Sequence, residues 1–181
     1  MFYITAFGAF IGRYKNGSET LVRSLLKDPL FVDIEFRILP VTWQDFDSFF
    51  EAIKHQEITG IIGFGEGSEP SVVVECTGQN IASGIDEAGF EKTDVPINHT
   101  LPETNGSRIV GVDELGIQKS DDAGQFLCNY ELFHINSLNI QTSAFIHLPP
   151  QLDTPDNLYL SKIRTIVIEL LKRNIPIKNN V

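Results

Sequence analysis

Positive charge is the first thing in short supply: 14 Lys and Arg stand against 24 Asp and Glu, a formal net charge of −10. With no basic cluster to neutralise phosphates, the chain is not expected to bind nucleic acid or an anionic membrane surface. Long apolar runs are missing too, since none approaches the ~20 residues that a membrane helix needs. The opening Met1-Phe2-Tyr3-Ile4-Thr5-Ala6-Phe7-Gly8 has neither a basic n-region nor an extended apolar core, so it does not read as a signal peptide. Cysteine is limited to Cys76 and Cys128. Arithmetic permits one disulfide, but with nothing marking the chain for secretion the expectation is a cytoplasmic protein with free thiols. Metal-ligand spacings of Cys and His, internal repeats and low-complexity tracts are also lacking. No metal or organic cofactor is expected.

What is present fits an ordinary globule. An apolar fraction of 42% and a charged fraction of 21% over 181 residues point to one domain, 1–181, with room for a proper core. Residues 2–7 read as a strand broken at Gly8. Ser18 is the expected N-cap of a helix carrying Leu21, Val22, Leu25 and Leu26, stopped at Asp28-Pro29. Residues 34–39 alternate as a strand that Pro40 ends. Thr42 caps an amphipathic helix with Phe46, Phe49, Phe50 and Ile53 at i, i+3, i+4 and i+7. Residues 59–64 suit a buried central strand. This strand–helix alternation predicts an α/β fold, a three-layer α/β/α sandwich on a mainly parallel sheet.

Further along, Val72-Val73-Val74-Glu75 is strand-like. The Gly-, Pro-, Asn- and Thr-rich stretch at about 76–107 reads as an irregular excursion, with a small hairpin or flap. A strand is expected at 109–112, a buried helix follows Ser120-Asp121-Asp122, and residues 142–148 form a last strand cut off by Pro149-Pro150. Thr154-Pro155-Asp156 starts a helix that buries Leu160, Ile163, Val167, Leu170 and Leu171.

Cys128 lies near the start of its helix, where unpaired backbone N–H groups and the helix dipole favour a thiolate. A small buried hydrophobe is the alternative reading. A nucleophile needs a base, and the base needs an orienting group. His55 ends a helix, His99 lies in the excursion, and His134 is about 120° around the helix from Cys128. His147 ends an apolar strand, where crevices form in open α/β sheets. Glu75 ends a run of three valines, where an unpaired carboxylate would be costly to bury. By spacing alone, His147 can equally be a strand-end histidine, and Glu75 can be solvated on an edge strand.

Several segments together resemble pyroglutamyl peptidase I, the pyrrolidone-carboxylate peptidase family of cysteine peptidases. The run Asp122-Ala123-Gly124-Gln125-Phe126-Leu127-Cys128-Asn129-Tyr130 is similar to the family's cysteine segment, and Ala144-Phe145-Ile146-His147-Leu148-Pro149 to its histidine strand. Glu75, five residues before Asn80, matches the glutamate setting. Phe7-Gly8-Ala9-Phe10 with Asn16 matches the Phe-x-x-Phe motif and its following Asn. The resemblance implies Cys128 as nucleophile, His147 as general base and acid, and Glu75 as the residue orienting His147. It also implies a substrate pocket lined by Phe7, Phe10, Asn16, Phe126 and Leu127. The implied activity is removal of N-terminal pyroglutamate from peptides, and a homo-oligomer is left open.

The departures are local. Gly65-Glu66-Gly67-Ser68-Glu69-Pro70 stands where the family carries a Gln and an Arg; Cys76 and Ser83-Gly84-Ile85 stand where it has further arginines. Ala6, Ala9 and Ile11 stand where the family tends to have Gly, Pro and Gly. Acids in place of cations should leave Cys128 less ionised than in relatives. The chain therefore reads as a divergent member. The alternatives are a non-catalytic or weakly active relative that binds capped peptides or small lactams, and a thiol amidase with another substrate.

Overall fold

The strand–helix alternation of the first third is realised. A computed structural model describes residues 1–10, 12–150 and 157–175. In chain order the elements are β1 (Phe2–Phe7), α1 (Gly17–Leu25), β2 (Ile34–Leu39), α2 (Trp43–Ile53), β3 (Gly60–Glu66), β4 (Val73–Glu75), β5 (Thr77–Gln79), β6 (Ala82–Ile85), β7 (Glu91–Val95), β8 (Thr104–Gly106), β9 (Gln118–Ser120), α3 (Leu127–Ser137), β10 (Thr142–Leu148) and α4 (Asn157–Asn174). Six strands make one sheet in the order β2-β1-β3-β10-β4-β9. The first four run parallel, β4 is antiparallel to β10, and β9 is parallel to β4. The central β1 and β3 are apolar on both faces because both are covered.

Period two sends alternate side chains to opposite layers. Phe2, Ile4 and Ala6 face a core with Leu21, Val22 and Leu25 of α1 and Ile163, Val167 and Leu171 of α4. Tyr3 and Phe7 face the other, with Phe46, Phe49 and Ile53 of α2 and Leu127, Leu132 and Ile135 of α3. This is the expected α/β/α sandwich. The excursion folds as two small two-stranded sheets, β5 with β8 and β6 with β7.

Several local expectations need correcting. The N-cap of α1 is Asn16, whose Oδ1 accepts from the Ser18 amide at 2.9 Å. The Ser18 hydroxyl instead accepts from the Phe7 amide at 3.2 Å, and its one proton is shared between Asn16 Oδ1 at 2.8 Å and the Phe7 carbonyl at 3.3 Å. Leu26 is an exposed cap and Leu160 is only half-buried. Residues 109–112 form no strand, because Arg108 bridges Ser143 and the chain then bends away. The strand of this region is β9, Gln-Lys-Ser, which carries no apolar alternation and forms through pairing with β4. The helix start at 154–156 lies outside the described residues.

Candidate active site

The C-terminal ends of β1, β3 and β10 and the start of α3 meet at one end of the sheet, with antiparallel β4 alongside β10. Two glycines of β3 make that meeting close. A Cβ at Gly65 would stand 2.7 Å from the Phe145 ring and 3.2 Å from Cys128 Sγ. One at Gly63 would stand 2.7 Å from the same ring and 3.0 Å from the Glu131 carboxyl. The bare backbone of β3 is what lets α3 settle so deeply.

Antiparallel β4 brings Glu75 opposite Phe145 and Val73 opposite His147, so Glu75 and His147 are diagonal neighbours on one face. His147 Nδ1 lies 2.7 Å from Glu75 Oε1, with side-chain exposures of 14% and 3%. Glu75 is thus buried and partnered rather than solvated on an edge, because β9 covers the outer side of β4. The Cys128 side chain hydrogen-bonds His147, and with Nδ1 committed to Glu75 the remaining ring nitrogen is Nε2. Burial alone would hold the imidazolium down. The bonds to Cys128 and Glu75, and their negative charge, outweigh it and push His147 up to about 10. The constellation expected from sequence is therefore assembled, in the order Glu75, His147, Cys128.

The other titratable groups separate cleanly. His134 is stacked on Phe50 at 4.7 Å, and burial, the largest influence, pushes it down to about 4, so it is neutral. His55 and His99 are exposed. Both thiols are free, but burial and then Asp121 push Cys76 above its ordinary value. That shift disfavours the thiolate form of Cys76.

Beside the Cys128 thiol is a cavity of about 190 Å³ lined by Phe7, Phe10, Asn16, Val41, Phe126 and Leu127, with Glu66 and Glu87 at its polar side. The five residues expected to line a pocket all do so. Phe126 is held edge-on by Trp43, ring centroids 5.0 Å apart, and Gly84 of β6 packs against its other side. Phe7 is mostly core, with its ring 5.1 Å from that of Phe46. Asn16 lines the cavity while its Oδ1 caps α1. A second, polar cavity of about 370 Å³ adjoins His147 and Glu75, with Glu69, Ser71, Ser120 and Asp122 in its wall.

Three residues were missed from sequence. Arg13 pairs with Glu66 at 2.7 Å, and the Gly17 amide donates to the other Glu66 oxygen at 3.2 Å. Glu66 is thus charge-compensated rather than a bare acid. Asn129, fully buried next to Cys128, accepts from Gln79 N and donates to the carbonyls of Gln79 and Ile81, all at 2.8 Å. It ties the cysteine helix to the excursion. Glu131 is the third, and no signal short of the structure places its carboxyl. No side chain caps α3, which leaves its first-turn N–H groups without a side-chain acceptor.

The fold of the chain is similar to that of solved structures. Pyrrolidone carboxyl peptidase from Thermus thermophilus matches with a TM-score of 0.81 at 23% identity, over 96% of this chain and 100% of that one. The enzyme from Fervidobacterium islandicum AW-1 matches at 0.78 and 23%, over 96% of each chain. The chain has the pyrrolidone carboxyl peptidase fold. A mutant of that peptidase (E192I) from Pyrococcus furiosus gives 0.79 at 20% identity, over 96% of this chain and 97% of that one. At such identities the likeness carries the fold alone. No family model matches the sequence, and no curated protein does. Among the described residues no helix is long and apolar enough to cross a membrane, and no cluster of His, Cys, Asp and Glu is arranged to hold a metal ion.

Proposed function

We propose that this chain is a cysteine peptidase removing N-terminal pyroglutamate from peptides through a thioester. The observation that carries the reading is the Glu75–His147–Cys128 chain opening onto a small, largely apolar cavity. At about 190 Å³ the cavity is below the ~300 Å³ usual for drug-sized ligands and suits a small flat ring. Phe7, Phe10, Phe126 and Leu127 enclose that ring, and Asn16 supplies a placed polar group.

The pair Cys128 thiolate and His147 imidazolium, braced by Glu75, is the resting state. The sulfur attacks the pyroglutamyl carbonyl carbon, and the carbonyl electrons move onto oxygen. N–H groups at the start of α3 stabilise that oxyanion. His147 Nε2–H protonates the departing amine as the C–N bond breaks, and the amine leaves toward the polar cavity beside His147. Neutral His147 then takes a proton from water, whose oxygen attacks the thioester; collapse frees pyroglutamate and restores the ion pair. Glu75 holds the ring tautomer and balances the imidazolium.

The test is release of a coumarin amine from a pyroglutamyl-coumarin amide by wild type, Cys128→Ser and Cys76→Ser. Turnover should vanish in the first variant and persist in the second. Turnover retained by Cys128→Ser would sink the reading. A second reading is a thiol amidase for another acyl group. It predicts simple amides cleaved as fast as the pyroglutamyl one.

A further inference from the structure

One helical turn beyond Cys128, a buried acid makes a contact that the reaction above does not use. Glu131 is 0% exposed. It lies on the Cys128 face of α3, since residues three apart are neighbours on a helix. Its Oε1 accepts a hydrogen bond from the Thr5 hydroxyl of β1, while Oε2 has no partner among the described residues. Thr5 is in register with Gly63 of β3, and Gly63 with Phe145 of β10, so the carboxyl sits over the seam of three strands. It fits only because residue 63 has no side chain: a Cβ there would stand 3.0 Å from Glu131 Cδ. Two residues along the same face of β3, Gly65 takes Cys128 Sγ in the same manner. The helix therefore rests on β3 at two points, and one of them is the thiol.

We propose that Glu131 is a positioning residue for Cys128: its bond to Thr5 and its slot over Gly63 set how deeply α3 sits, and that depth sets the thiol against His147. Three strands face the carboxyl and none brings a charge: β1 offers Thr5, β3 Gly63 and β10 Phe145. On α3 itself the titratable groups a turn either way are Cys128 and His134, and His134 is neutral. A carboxyl buried without a cation keeps its proton rather than carry a charge. Burial, opposed by the Thr5 bond, pushes Glu131 up to about 8. At neutral pH it is an uncharged hydrogen-bonding peg. Ionised, it would put a second negative charge one turn from the thiolate and strain the contact that seats the helix.

The proposal rests on Cys128 being the reacting thiol, and not on which amide is cleaved. The test is accordingly the rate of Cys128 carboxymethylation by iodoacetamide, mapped by mass spectrometry on the full chain from about pH 6 to about pH 10. The wild-type rate should fall as pH rises through about 8. Glu131→Gln, which keeps the shape and cannot ionise, should match wild type at neutrality and show no fall. Thr5→Val should react about fivefold more slowly at neutrality, the loss of one net hydrogen bond. Glu131→Gln remains decisive if Thr5→Val fails to fold. Superimposable profiles for wild type and Glu131→Gln would overturn the proposal. So would a neutral-pH loss in Glu131→Gln, which would mean that the charge is needed, or a folded Thr5→Val reacting at the wild-type rate. Pyroglutamyl turnover measured alongside reports on the activity assignment separately.

Discussion

Glu75→Gln is the sharpest perturbation of the assembled site, because it keeps the volume and removes only the charge. The carboxylate is 2% exposed and its Oε1 is 2.7 Å from His147 Nδ1, so solvent screens the pair little. The rise of His147 from 6.5 to about 10 is worth about 5 kcal/mol. Burial opposes that rise, and the hydrogen bonds to Cys128 and Glu75, with their charge, produce it. A hydrogen bond to a charged group is worth about 1.5–3 kcal/mol, so Glu75→Gln should lower kcat/KM by about tenfold or more. His147 binds its proton more tightly folded than unfolded. The stability it brings is fully present below 6.5 and lost as pH rises through about 10. Without Glu75, the alkaline end of that window should move to lower pH. The assay is kcat/KM for the coumarin amide against pH, with the rate of Cys128 alkylation as a second trace. An alkaline limb in the wild-type position, with kcat/KM within twofold of wild type, would refute the orienting role.

The other predictions concern the pocket and its floor. Phe10→Ala should raise KM for the pyroglutamyl substrate with less effect on kcat, because it removes a wall rather than a reacting group. Asn16→Ala should cost about 1 kcal/mol of stability through the lost α1 cap and also weaken preference over prolyl analogues, read by thermal melts and competition kinetics. Melting changed with preference intact would leave Asn16 as a cap only. Gly65→Ala should cost about 1–3 kcal/mol by overpacking against Phe145 and Cys128 and slow Cys128 alkylation, checked by melting and iodoacetamide kinetics. An unchanged melting temperature and rate would mean that the thiol does not rest on that strand.

Legibility in the sequence followed length scale. Helix α2 was readable because Thr42 and four spaced apolar residues all point the same way, and β3 because a short apolar run ends in glycines. The helix bearing Cys128 was readable from its apolar continuation. By contrast β9 is three polar residues whose extended form comes from pairing with β4, and no local pattern encodes that. Likewise Asn16 and Ser18 are both competent caps, and only the position of Phe7 decides that Ser18 is drawn to the strand. The Glu75–His147 contact depends on β4 running antiparallel to β10, a fact that spans 72 residues of sequence. Spacing alone left both residues open, and the family resemblance singled them out. The pairing of Glu66, one of the acids that looked adverse, was hidden for the same reason: Arg13 is remote in sequence from it but bonded to it.

The close seating on Gly63 and Gly65 divides the site by how freely it can vary over generations. The thiol and the peg beside it press on main-chain atoms, which no substitution can trim, and any added carbon on that face of β3 collides. Phe10, Glu69 and Glu87, by contrast, project from connecting segments into open cavities. Drift in what is cleaved can therefore accumulate at the rim while the sulfur stays where it is. A lineage from this chain would change its diet long before it changed its chemistry.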